Sequence, residues 1–333
     1  MPGAALGLRT LFGYGDESTW GTAAAVTRRL EIVSESLAVT TNILESQGIS
    51  GSFTARRGAR RVISSESAEG SVTHELSYTG MGLLLKHITG ATAPTVAQQA
   101  ATTAYLHTYP GDGNFVGKGL TVQKSLRDGA GAEVATWTLS GCKITDWSLA
   151  MEVDAVSQVE LTLDGKVGVT SVANTALNAL AVPTSPNFNF KQGAILVAGS
   201  PVGKVLSGTA KGGNALKTDS YYVGSGGLKG EQDVTDFRTL EGTLSYEIAD
   251  TTLYNLFKAD TAASLKLEWV GPIIATTNAY RLTLNIPEVH FTGDTPQVGG
   301  PGLVTLDAPW TAAINPAGNP LYTFELMTTD TAS

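Results

Sequence analysis

The chain has 333 residues, enough for one large domain or two of ordinary size. Its net charge of −8, from 22 basic and 30 acidic residues, excludes a protein that grips nucleic acid by neutralising phosphates. A single cysteine, Cys142, excludes an intrachain disulfide framework, and the 4 histidines offer no metal-ligand spacing.

The 38 glycines, the low charged fraction of 16% and the many Ala, Thr, Ser and Val describe a globular, strand-and-turn protein. "MPGAALGLRT" has no basic start followed by an apolar run, and no stretch reaches the roughly 18 apolar residues of a membrane helix. The expectation is a soluble protein made and kept in the cytoplasm, with no membrane partner; the missing signal also weighs against an outer-membrane barrel.

In chain order, residues 1–30 read as an N-terminal arm containing "GYGDESTWGTA" (13–23). "ARRGARR" (55–61) gathers Arg56, Arg57, Arg60 and Arg61, suited to a phosphate backbone, to an acidic patch on a neighbouring subunit, or to a solvated hairpin tip. "EGSVTHELSYTGMGLLLK" (69–86) then alternates Val72, His74, Leu76 and Tyr78 against Ser71, Thr73, Glu75 and Ser77, the period of a half-buried strand. Met81, Leu84, Leu85 and Ile88 follow at helical spacing, with Thr79 as a weak cap.

Residues 89–119 are polar and punctuated by Gly and Pro, which predicts a long surface loop. Within it "GDGNFVGKG" imitates a phosphate-binding loop, but its glycines are too close and Gly119 stands where Ser or Thr should ligate magnesium. "LTVQK" (120–124), "WTLSGCKITDW" (137–147) and "VELTLDG" (159–165) read as strands, and 168–193 as a linker with two proline turns, at Pro183 and Pro186.

The pattern then returns. "EGTLSYEIADTTLYNLFK" (241–258) matches 69–86 position by position, with Asp250 placed to cap the helix, and "LKLEW" (265–269), "LTLNIPEVHF" (282–291) and "LVTLDAP" (303–309) echo the three later strands. The spacing between copies shortens from about 172 to about 145 residues, an insertion of about 27 in the first half within 89–119. The expected fold is mainly β, with two related domains near 1–170 and 185–333, each with one short flanking α-helix. "VGSGGLKG" (223–230) lacks nucleophile-elbow spacing, and no carboxylate pair joins a His or Lys in an acid-base pattern, so nothing asks for an enzyme, a metal or a cofactor.

Three stretches carry a family resemblance: "GYGDESTWGTA", the strand-helix unit with its Glu-Gly opening, and "NIPEVHFTGDTPQVGGPGLVTLDAPWTA" (285–312). Together they resemble the larger major tail tube proteins of long, non-contractile-tailed bacteriophages. The resemblance implies β-sandwich or barrel domains, rings stacked into a tail tube in the virion, and passage of double-stranded DNA without sequence-specific binding. Single-domain relatives form six-subunit rings, so a doubled chain implies three copies in a pseudo-sixfold ring. The implied partners are further copies and other tail proteins: tape measure, terminator and tip complex.

On this reading Glu75 and Glu247 are equivalent candidates for the channel wall, followed by Glu152, Asp154 and Glu160. The N-terminal arm, the 89–119 loop and the four arginines are candidates for contacts between rings, and the arginines equally for contacts between subunits. The alternative is a tandem β-sandwich binding module for a glycan or receptor. The five Trp, spread one per motif, look more like core anchors than such a site.

Overall fold

Alternation of apolar and polar residues sets the strands, and the end of alternation sets where they stop. The structure is a computed structural model that describes residues 3–49, 51, 54–92, 94–170, 175–181, 183–293, 295–298 and 300–332. The first half contains β1 (Ala5–Glu17), β2 (Arg28–Arg29), β3 (Ser34–Glu35), β4 (Ala38–Glu45), β5 (Arg61–Glu75), helix α1 (Gly82–Thr89), β6 (Thr95–Gln98), β7 (Tyr105–Pro110), β8 (Gly119–Asp128), β9 (Glu133–Glu152), β10 (Gln158–Gly165) and β11 (Val167–Thr170). After the short helix α2 (Thr175–Ala179) come β12 (Gly193–Val197), β13 (Ser200–Pro201), β14 (Val205–Gly213), β15 (Thr239–Glu247), helix α3 (Thr252–Lys258), β16 (Ala263–Ala275), β17 (Asn278–Phe291), β18 (Thr305–Ala312) and β19 (Thr323–Thr328). The chain is mainly β, and every named strand pairing is antiparallel.

Strand β9, 20 residues long, belongs to two layers. Its first part pairs with β8 and β11, in a layer ordered β2-β1-β8-β9-β11. From Lys143 onward, across a register shift opposite Thr162 and Leu163, it belongs to a second layer, ordered β4-β5-β10-β9-β14-β15-β18-β17. Strand β17 is used the same way, with its first part in a layer ordered β13-β12-β16-β17-β19-β7-β6.

Between the layers lies one apolar core that includes Val72, Leu84, Leu139, Ile144 and Leu161 as well as Leu244, Leu267, Leu284 and Trp310. The ring of Trp147 meets Tyr322 and Phe324 edge-on at 5.4 and 5.3 Å, joining early and late sequence inside that core. Helix α1 packs Leu83, Leu84, Leu85 and Ile88 inward and ends at Gly90, whose φ of 69° lets its N–H reach the carbonyl of Lys86. Asp250 accepts from the N–H of Thr252 at 2.8 Å from one position before the N-cap, Thr251, whose own side chain makes no capping bond, and α1 likewise has no side-chain cap from Thr79 or any other residue.

Four expectations differ from what is seen. The stretch 89–119 is not simply a loop: it folds into the hairpin β6–β7, and β7 joins β19 because "YLHTYP" turns His107 and Tyr109 into the core. Within the expected N-terminal arm, residues 11–15 of β1 are buried against β8, so only the part before Leu11 stands out. The expected linker is partly internal, with Leu177 buried beside Leu11 and Val26, and Phe188 edge-on to Tyr78 at 4.6 Å. The spacing of the late strands also shifts: pairing with Val72 and Leu244 sets Leu161 in correspondence with Ala308, three residues from where the sequence comparison aligns it.

Candidate functional site

The long layer has one face in the core and one face outward. Alternation along β5, β10, β9, β14, β15 and β18 aims only short polar or acidic side chains, with few exceptions, at the outer face. One row of directly opposed residues crosses seven strands: Thr73, Glu160, Ser148, Lys211, Glu241, Thr311 and His290. Asp146, Glu152, Glu247 and Asp307 lie on the same face in flanking rows, and Asp146, Glu160, Lys211 and Glu241 line a shallow groove of about 330 Å³ where β9 meets β14. Carboxylates outnumber cations here, so the face repels other polyanions.

Of the five acidic candidates, Glu75, Glu152, Glu160 and Glu247 share this face. Glu75 is half-buried and accepts from Asn187 Nδ2, which holds its carboxylate without neutralising it, whereas Glu247 lies 3.8 Å from Lys204 Nζ and is partly neutralised. Glu152 and Glu160 are exposed. Asp154 lies instead in the turn after β9, at a φ of 60° that short polar residues tolerate best.

The four arginines sit at the tip of the β4–β5 hairpin, around a turn of 3-10 helix at Gly58–Arg60. Arg56 donates to Glu45 at 2.6 Å and Arg61 lies 3.3 Å from the same carboxylate, which draws the Glu45 pKa below its ordinary value. Beside them the hairpin exposes Ile43, Leu44, Val62 and Ile63 on both faces, an edge with apolar side chains that a lone molecule has reason to cover.

Sequence reasoning missed a buried ionic cluster on the long layer. The β14–β15 connection, residues 214–238, folds back over the first half, where Lys229 pairs with Asp164 and lies 3.7 Å from Glu69. Lys143 donates to Glu231 at 2.8 Å and to the carbonyl of Gln232, whose own side chain reaches Asp164 at 2.7 Å and Trp20 at 3.1 Å. Burial lowers the pKa of Lys143 and raises that of Asp164, against the pull of their partners. The only signal was Lys143 flanked by Cys142 and Ile144 in "SGCKITDW". The phosphate-loop look-alike is consumed by the same connection: Arg238 Nη1 donates to the Gly111 carbonyl at 2.8 Å and Arg238 Nη2 to that of Gly113, while Lys118 Nζ bonds the Gly90 carbonyl.

The family described as phage tail tube protein matches residues 7–312. The chain belongs to that family. It is a structural component of the virion tail, and nothing in the family match points to catalysis. No curated protein matches the chain. Among solved structures, a chain from the cryo-EM structure of the anti-feeding prophage baseplate, 6-fold symmetrised, is similar at 12% identity, covering 53% of this chain and 99% of that one with a TM-score of 0.36. At that score the likeness carries no argument.

Proposed function

We propose that the chain is a major tail tube subunit built from two copies of one domain, near 1–170 and 185–333 with 168–193 between them, and that it assembles into stacked rings around a channel for double-stranded DNA. The observation that carries this reading is the β9–β14 ladder. It fuses β4-β5-β10-β9 to β14-β15-β18-β17, two runs of the same strand roles, into one continuous sheet with an acidic, hydroxyl-rich face.

A sheet of this kind leaves β4 at one end and β17 at the other as edges, and ring closure removes both. Three copies would align about 24 strands, and at about 4.8 Å per strand that gives a barrel about 37 Å across before strand tilt widens it. Such a bore admits a duplex with a layer of water. The polar face then lines the channel, with Glu152 and Glu160 most exposed and Glu75 and Glu247 at its margins; the negative wall lets DNA slide without adhering. Other tail proteins at either end of the tube are the expected further partners.

Negative-stain electron microscopy of the purified protein at rising concentration tests the reading. Stacked rings or hollow tubes with threefold or pseudo-sixfold end views are expected. A protein that stays monomeric at every concentration, even when seeded with tail-tip fractions, overturns it.

A further inference from the structure

The two halves of the chain treat corresponding segments differently. In the second half, the β14–β15 connection lies clamped on the first half through Lys229–Asp164 and Glu231–Lys143, and through Asn214, whose Nδ2 donates to the carbonyls of Ile88 and Ile144. Its counterpart by strand order is the outer hairpin, residues 41–66, and that hairpin projects with Ile43, Leu44, Val62 and Ile63 at 41%, 56%, 58% and 65% exposure.

The seat such a hairpin would need can be located by register. Opposed residues set Glu69 in correspondence with Glu241, Asp164 with Thr311 and Lys143 with His290, and the repeated helix sets Ile88 against Asp260. Thus the surface that corresponds to the clamp carries two carboxylates, Glu241 and Asp260, with Glu288 beside them at His290, and the hairpin that corresponds to the clamping segment carries four arginines. His290 lies 2.9 Å from Asp260 and 3.3 Å from Glu288, which brings two of these carboxylates onto one spot. The backbone repeats the contrast: β17 stops at Phe291, whereas the matching part of β9 runs on to Glu152 because β14 lies beside it.

We infer that, within the ring reading on which this rests, the joint between neighbouring copies reproduces the β9–β14 joint inside each chain. The β3–β4 edge of one copy pairs with the stretch that follows β17 of the next, with Thr40 opposite Thr292, Val39 opposite Gly293 and Leu37 opposite Thr295. The arginine hairpin of the first copy seats on Glu241, Asp260 and Glu288 of the second. The arginines therefore act between neighbours in one ring, through charge complementarity.

The test is oxidation of a Thr40→Cys/Thr292→Cys variant, since directly opposed strand residues bring Cα atoms within disulfide reach. Within one chain these positions are seven strand spacings apart, on the order of 30 Å along the sheet. Covalent oligomers that stop at the ring size are expected from the double variant, from neither single variant, and far less from Asn42→Cys/Thr292→Cys. An Asp146→Cys/Gly213→Cys variant, the same joint inside the chain, should cross-link without forming oligomers. In addition, Arg56→Glu/Arg60→Glu should raise the concentration needed for assembly about tenfold or more, and adding Glu241→Arg/Asp260→Arg should recover most of that loss. Rings seen by microscopy that do not cross-link, or a charge swap that gives no recovery, overturn the inferred joint; absence of rings in the unmodified protein overturns the ring reading itself.

Discussion

Lys229 has a side chain only 4% exposed, and its ammonium is held between Asp164 and Glu69. Removing one partner of a buried pair strands the other charge, at a cost of about 3–5 kcal/mol. Lys229→Met should therefore lower unfolding stability by about 3 kcal/mol in urea titrations, and Lys229→Met/Asp164→Leu should recover much of it. His74 gives a pH signature. Its Nδ1 must donate to the Glu31 carbonyl, 2.7 Å away, so in the neutral ring Nε2 accepts from the Tyr14 hydroxyl at 2.6 Å. Burial, opposed by the Glu31 bond, lowers the His74 pKa from 6.5 to about 4. The folded state thus binds fewer protons than the unfolded chain between those values, and stability should fall as pH drops from 6.5 to 4, by up to about 3 kcal/mol. Urea midpoints measured across that range check this, and His74→Gln should flatten the slope. Of these residues the sequence marked His74 as inward-facing by alternation alone. It could not mark Lys229 and Asp164 as partners, because the pair is made by a connection that returns across 65 positions.

At the scale of elements, the β4–β5 hairpin is the part the single molecule needs least. Leu44→Lys/Ile63→Lys should change monomer stability by no more than about 0.5 kcal/mol, since both side chains are exposed, while abolishing assembly into sedimenting rings. Loss of monomer stability instead would mean that the hairpin is packed in the free protein. The strand-helix units were legible because alternation and the change to helical spacing both sit in short, uninterrupted runs. The β6–β7 hairpin was not: its strands are short, its turn is polar, and its partner β19 lies at the far end of the sequence. The late-strand offset was misjudged for a related reason, because register shifts where β9 meets β8 and β17 meets β16 change residue counts in ways that a linear comparison absorbs silently.

For the whole molecule, the outward polar face makes a charge prediction. Glu152→Lys/Glu160→Lys should leave ring formation intact, because both side chains point away from the core and from the strand edges, yet slow DNA passage in a phage carrying the variant, with the defect relieved by higher salt. Unchanged infectivity would remove these residues from the channel wall. Composition already announced an acidic, strand-rich protein, and parity along each strand announced which carboxylates share a face. The sharing of one core by both halves could not be read, since it depends on Trp147 reaching Tyr322 and Phe324.

That interlocking bears on how the protein is made. Strand β7 pairs locally with β6 but finds the partner for its other edge in β19, and His107 bonds the carbonyl of Asp330, 223 positions further along. At a bacterial elongation rate of about 5–20 residues per second, β7 waits on the order of 10–45 s on the ribosome for the strand that completes it. During that interval the hairpin edge is open and the first half is unfinished. A nascent chain that stops early therefore lacks β19 and leaves one edge of β7 unpaired, so completion of synthesis becomes a condition for entering the tube.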